Sequence, residues 1–255
     1  MSFAYVSVEE AAQRPGLRMV VVGNVPSPWG EAAKSILHIK RIDWVAVRLV
    51  YDSEALKQWA GERSGPVAVY DAEQPRTRWD EILLLAERLA PAPALLPDDA
   101  AERALVFGLA HEICGEGGLG WLRRLQLIDT GLRNAGGFPE RVSRYLGKKY
   151  GYRPEAGAVA ARVPALLRML SERLETQRRA GSRYYVGNAL TAVDVYSATF
   201  MAMFRPLAEA QCKMNAATRA AFESRDADIE AALDPALFDH RDMMYAEYLE
   251  LPLAL

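Results

Sequence analysis

Tyr185-Val186-Gly187-Asn188-Ala189-Leu190-Thr191-Ala192-Val193-Asp194 is the stretch on which the reading of the fold turns. Thr191 stands directly before an apolar run and Asp194 follows three residues later, so the threonine reads as a helix N-cap and the pair as a capping box. Leu190 before the cap and Val195 after it supply a hydrophobic staple. From Leu190 to Phe204 the chain is apolar nearly all round, the mark of a helix buried on every side. A start so well specified, with a cap worth about 1 kcal/mol, places a rigid helix inside a core.

Working outward, everything beyond Asp98 reads as helical. Leu166, Leu167, Leu170 and Leu174 share one face of a helix over 164–176. Asp98 or Asp99 caps an earlier helix whose stripe is read as Leu105, Gly108, Leu109 and Glu112. Ahead of it lies Pro91-Ala92-Pro93-Ala94-Leu95-Leu96-Pro97, a stiff connector that marks a domain boundary between residues 1–90 and 98–255.

The front third alternates strand and helix signals. Arg18 to Asn24 carries a β-branched run closed by Gly23 and Asn24, a buried strand. Val25-Pro26-Ser27-Pro28-Trp29 then turns into a helix with Ser27 at the N-cap, Pro28 at the first helical position, and Ala33, Ile36, Leu37 and Lys40 at helical spacing. A second strand over Val45 to Tyr51 completes a βαβ unit, whose crossover makes the strands parallel. A short helix over Glu54 to Ala60, a proline-opened strand at Gly65-Pro66-Val67-Ala68-Val69-Tyr70-Asp71 and a helix carrying Ile82, Leu85, Ala86 and Leu89 follow.

In this order and spacing, three segments resemble the glutathione S-transferase family: Val25 to Trp29 after the first strand, Gly65-Pro66-Val67 at the third, and Tyr185 to Asp194 at the buried helix. The resemblance covers residues 18–90 and 158–206, whereas 115–157 and the last fifty residues match poorly. It implies an α/β thioredoxin-like N-terminal domain (βαβ–ββα) followed by an all-α helical bundle, and transfer of glutathione, the cosubstrate, to a small hydrophobic electrophile. Ser27 then stands at the position of the catalytic residue, where a hydroxyl at a helix N-terminus favours a thiolate. The alternative for Ser27 is simple capping. The resemblance also implies a cis bond between Gly65 and Pro66 that offers the Gly65 backbone to glutathione. Trp29, His111, Cys114 and Trp121 become candidates for the electrophile pocket, with ordinary packing as their alternative.

One position departs from the family. Arg78 and Trp79 occupy the place of an acidic or amide residue followed by serine, which in the family hold the γ-glutamyl carboxylate. Arg76 or Arg78 could instead fork onto an anion, or simply be solvated. The departure keeps two other readings open, a non-catalytic binding protein on the same scaffold and a transferase with another anionic cosubstrate. Family members pair as two-fold dimers, so a homodimer is expected, with Trp79, Leu83 and Leu84 as surplus apolar surface.

Other classes are disfavoured. The chain of 255 residues has a formal net charge of −2, 51% hydrophobic and 25% charged residues, which gives no pull toward nucleic acid or an anionic membrane. The arginine pairs Arg123-Arg124 and Arg178-Arg179 read as solvated helix faces. Two cysteines make no disulfide framework, the stretch from Met1 to Leu17 lacks a signal-peptide pattern, and no apolar run is long enough to span a membrane, so the cytoplasm is the expected location. Gly115-Glu116-Gly117-Gly118-Leu119-Gly120 fits G-x-G-x-x-G but follows a helical segment, and reads as a break in the chain rather than a nucleotide loop. His111, Glu112 and Cys114 on one helix cannot enclose a metal, and none is expected.

Overall fold

A computed structural model describes residues 4–154 and 157–255, and the helix side chains of 161 onward; the first three residues and the end of the poorly matching 115–157 segment lie outside the described residues. The front part carries a four-stranded sheet of β1 (Tyr5–Val6), β2 (Leu17–Val21), β3 (Trp44–Arg48) and β4 (Val67–Tyr70), in the order β1-β3-β2-β4. β2 runs parallel to β3, with Met19 opposite Ala46, and antiparallel to β4, with Met19 opposite Ala68. Strand pleating sends alternate side chains to opposite faces. Leu17, Met19 and Val21 therefore enter the main core, while Val20 joins Val47, Val67 and Val69 in a smaller core on the other face. Helix α2 (Pro28–Ile39) covers the first face through Ala32, Ala33, Ile36 and Leu37, with α4 (Trp79–Leu89) beside it. The second face is covered by α1 (Val8–Gln13) and α3 (Glu54–Ala60), through Ala11, Leu56 and Ala60.

The expected βαβ unit is present, with its strands shorter than the apolar runs suggested. Residues 22–27 leave the sheet to build the turn into α2. The sequence reading missed β1 and α1, because a two-residue strand has no periodicity to detect. β1 pairs parallel with β3, Tyr5 opposite Ala46. The second strand of the expected ββ hairpin is reduced to a single bridge between Ala68 and Arg76.

Residues 90–99 form no regular element, and a buried lysine organises them. The Lys40 ammonium is fully enclosed, donates to the carbonyls of Ala90 at 2.7 Å and Pro93 at 2.9 Å, and pairs with Glu87 at 2.7 Å. Enclosing a charge is tolerated when every donor has an acceptor. Glu87 in turn accepts from Leu95 N, and the Leu95 carbonyl accepts from Ala192 N at 2.9 Å. The connector thus ends against the buried helix of the back part.

That back part is helical: α5 (Ala100–Cys114), α6 (Leu119–Leu132), α7 (Glu140–Lys149), α8 (Gly157–Arg179), α9 (Ala192–Phe200) with a 3-10 turn at Met201–Met203, α10 (Ala216–Phe222), α11 (Ala227–Glu230) and α12 (Pro235–Glu247). No strand occurs among the described residues after Asp98. The expected stripe of α8 is buried as read, and every residue of α9 is buried. The stripe read for α5 is rotated by one residue. Leu105 and Gly108 face outward, and Val106, Leu109, Ala110, Ile113 and Cys114 face in, because small side chains let α5 lie close against α9. Asp99 is the cap of α5, accepting from Ala101 N and Glu102 N.

The arginine pair at 123–124 is also corrected. Arg123 is only 3% exposed and donates to the carbonyls of Met203 and Ser224, and burial lowers its pKa to about 10. Both residues face inward because α6 is covered on more than one side, by α7 and α8. Trp79 packs edge-on against Tyr196 at 5.5 Å and tilted against Phe107 at 6.3 Å, and Leu83 is fully buried. Of the apolar surplus expected at a dimer face, only Leu84 remains exposed. No helix among the described residues is long and apolar enough to cross a membrane.

Candidate functional site

A cavity of about 650 Å³ opens between the carboxyl ends of β2 and β3 and the helices α6 and α7. Its front wall is Val22, Val25, Ser27, Leu49, Asp52 and Gly65.

Ser27 arrives there because β2 ends at Val21 and the chain turns tightly, Ser27 N donating to Val25 O at 2.8 Å. Pro28 takes the first position of α2, where its missing N–H costs nothing. Ser27 has the extended backbone of an N-cap, φ −65° and ψ 117°, and its carbonyl accepts from Glu31 N at 2.7 Å. Its side chain makes no cap hydrogen bond. The hydroxyl is thus left without the partner that simple capping would give it, at the positive end of a twelve-residue helix. Gly65 faces Ser27's cavity, with the buried Pro66 behind it across a cis bond.

The back wall was not anticipated from the sequence. Arg124 reaches the cavity from α6, and Arg141, Tyr145 and Lys149 reach it from α7, with Tyr150 just beyond. The Arg124 guanidinium lies 4.1 Å from the centre of the Trp29 ring and 4.4 Å from that of Tyr150. Burial lowers its pKa. Lys149 sits 4.9 Å from the Tyr51 ring centre and donates to the Arg63 carbonyl at 3.3 Å. Tyr51 packs edge-on against Tyr145 at 5.3 Å, and burial raises the pKa of its phenol. Three cations against one carboxylate, Asp52, give the lining a positive balance. The available signal was a cation spaced three or four residues from an aromatic on each helix, Trp121 with Arg124 and Tyr145 with Lys149.

The remaining candidates are placed elsewhere. Trp29 and Trp121 stand behind the lining, Trp29 under Arg124 and Trp121 edge-on to Tyr150 at 5.2 Å. Cys114 is buried beneath them; its carbonyl accepts from Trp29 Nε1 at 2.8 Å, and burial pushes its thiol pKa well up. His111 is exposed on the outer side of α5. Arg78 is exposed and forks onto Asp80 through Nε and Nη2 at 3.0 and 2.8 Å. Glu81 folds back to accept from Thr77 N and Arg78 N. The amino end of α4 therefore carries two carboxylates of its own, which oppose a further carboxylate there. Neither Arg78 nor Trp79 lines the cavity. Among the described residues, no group of three or more His, Cys, Asp or Glu could hold a metal ion.

No protein-family model matches the chain, and no curated protein matches it in sequence. Solved structures do match over most of its length. A glutathione S-transferase of Methylobacterium radiotolerans, in complex with glutathione sulfonate, covers 91% of this chain and 91% of its own at 19% identity, with a TM-score of 0.56. One from Xanthobacter autotrophicus covers 92% and 96% at 17% identity and 0.57, and one from Rhodospirillum rubrum covers 85% and 91% at 20% identity and 0.53. The chain has the glutathione S-transferase fold. The three cations of the cavity, Arg124, Arg141 and Lys149, all come from the segment 115–157, which the sequence motifs do not reach.

Proposed function

We propose that the chain is a glutathione-dependent transferase acting on a small electrophile. The observation that carries this reading is the Ser27 hydroxyl, unpartnered by its own helix, at the N-terminus of α2 and in one cavity with Gly65. In this reading the tripeptide's cysteinyl backbone pairs with Gly65 as an added strand, and its sulfur lies at Ser27. The hydroxyl donates to the sulfur, and the helix end favours its negative charge, so more of the thiol is ionised at neutral pH. The thiolate pair then forms a carbon–sulfur bond while the leaving group departs with its bonding electrons; the thiol proton has already gone to solvent. Both cysteines of the chain are buried, so the sulfur nucleophile comes from the cosubstrate.

The same reading assigns residues 1–90 to glutathione and 98–255 to the electrophile. It also places the protein in the cytoplasm as a homodimer, with no nucleic-acid or membrane partner. A second reading, a binding protein without transferase activity, is favoured by the amino end of α4, where Glu81 and the Arg78–Asp80 fork fill the place of the family's carboxylate-binding pair.

Retention on immobilised glutathione, with elution by free glutathione, separates the two from a cosubstrate of another kind. Conjugation of a chromogenic aryl halide by wild type and by Ser27→Ala then tests the chemistry. Turnover that falls at least about tenfold in the variant while retention persists supports the transferase, because a transition-state interaction has been removed. Unchanged turnover would refute the role of Ser27.

A further inference from the structure

Arg124 differs from Lys149, which also lies near two rings, Tyr51 at 4.9 Å and Tyr150 at 5.5 Å, in what its N–H groups meet. Its guanidinium carbon lies over two aromatic rings, 4.1 Å from the centre of Trp29 and 4.4 Å from that of Tyr150. Cation–π attraction of this kind holds the ion without consuming its N–H groups, which remain available to an acceptor. Among the described residues those groups meet no hydrogen-bond acceptor and no carboxylate, and Arg124 lines the cavity. Lys149, by contrast, already donates to a carbonyl, and Arg141 is exposed on the rim. A guanidinium held rigid by two rings has little rotamer freedom left to lose, and its N–H edge matches a planar carboxylate in a two-bond fork. The cavity also offers apolar lining, from Val25, Leu49, Phe138, Met203 and Phe222.

We infer that the electrophile is a carboxylate, an acid group on an apolar or aromatic frame, whose charged end is held by the in-plane N–H groups of Arg124. The inference rests on the transferase reading for the word electrophile, but the anion site stands on the cavity alone. Arg124 is a specificity residue in this scheme: it fixes which end of the substrate lies deep between α6 and α2, and so turns the reacting carbon toward Ser27. A half-buried cation without a counter-ion is costly, and a bound carboxylate relieves that cost only for acidic substrates. Burial already lowers the pKa of Arg124, consistent with a charge left uncompensated.

The test compares two product analogues, S-benzylglutathione and S-(para-carboxybenzyl)glutathione, by titration calorimetry on the full chain. Wild type is expected to bind the carboxylated analogue at least about tenfold more tightly, the size of one charge-assisted fork. Arg124→Gln is expected to abolish that preference, with a far smaller loss of affinity for the benzyl analogue; Arg124→Lys, which keeps the charge without the fork, retains part of it. Equal binding of the two analogues by wild type overturns the inference, whatever the variants do. Equal weakening of both analogues by Arg124→Gln also overturns it, since Arg124 would then hold a carboxylate of glutathione itself. Should neither analogue bind, para-tert-butylbenzoate and para-tert-butylbenzyl alcohol are compared in the same way. Arg124-dependent preference for the acid then sustains the anion site while the glutathione reading falls, and indifference to the acid ends the inference as well.

Discussion

Trp29 Nε1 donates to the Cys114 carbonyl at 2.8 Å, which joins the first turn of α2 to the last residue of α5. The final carbonyls of a helix have no partner within it, and here an indole from the front part supplies one. The same ring packs edge-on against Phe200 at 4.7 Å and carries Arg124 on its face. One side chain thus couples the turn bearing Ser27 to the helices that form the opposite wall.

Trp29→Phe is expected to destabilise the chain by about 1–3 kcal/mol, because it keeps most of the apolar contact and leaves a carbonyl without its donor. Urea unfolding checks this. A midpoint equal to that of wild type would mean that water takes the place of the indole.

Asp194 carries more than a cap. Its carboxylate is fully buried; one oxygen accepts from Thr191 N and Oγ1 at 2.8 and 2.9 Å, and the other meets Tyr185 N and His240 Nε2, each at 3.0 Å. It therefore fastens α9 to the preceding loop and to α12. Asp194→Ala strips all four at once, and the expected cost is about 3–5 kcal/mol, the range for breaking a buried charged network, well above the 1 kcal/mol of a lone cap. A melting temperature within error of wild type would contradict this assignment.

The legibility of the chain follows from how local each signal is. The Thr191–Asp194 box and the turn at Ser27 are written in adjacent residues, and both stand where the spacing places them. β1 is too short to have a period, and its strand partner is β3, far along the chain. The α5 stripe was misread by one residue because Leu105 is large and Ala110 small, and helix packing favours the small residue at the contact. In sequence Arg124 reads as a solvated face, because composition cannot tell a charge in water from one held over aromatic rings. Its partners, Trp29 and Tyr150, are distant in sequence and close only in the fold. His240, the third residue bonded to Asp194, lies in the last fifty residues, where no motif points to it.

Both cysteines are buried, and burial raises the pKa of each thiol. The unfolded value is about 8.5, so at pH 8 the folded chain carries less thiolate than the unfolded one. Iodoacetamide at that pH is expected to label neither Cys114 nor Cys212 until guanidinium is added, as read by mass spectrometry. The linkage runs the same way: the unfolded state loses thiol protons first, so the stability that these groups contribute is full below about pH 8.5 and declines as pH rises beyond it. Rapid labelling of the native chain at either site would show that the thiols are reached without unfolding.

Gly120 and Gly108 make the sharpest paired test of the packing around the site. Gly120 lies in the first turn of α6, where an added Cβ would stand 2.2 Å from Phe200 Cε1 and 3.0 Å from Trp29 Cη2. Phe200 is fully buried and cannot retreat, so its collision with a methyl outweighs the gain of up to about 1 kcal/mol that alanine brings to a helix. Gly120→Ala is expected to lose about 1–3 kcal/mol and to shift the Trp29 ring, and with it the seat of Arg124. Gly108 sits in the middle of α5 on its exposed side, with nothing within 4 Å of an added Cβ. There the helix propensity acts alone, and Gly108→Ala is expected to gain about 0.5–1 kcal/mol. Thermal unfolding of both variants decides the matter. Opposite signs support the close approach of α6 to Phe200, whereas a gain in both would show that α6 has room at Gly120 and that the wall carrying Arg124 is looser than its ring contacts indicate.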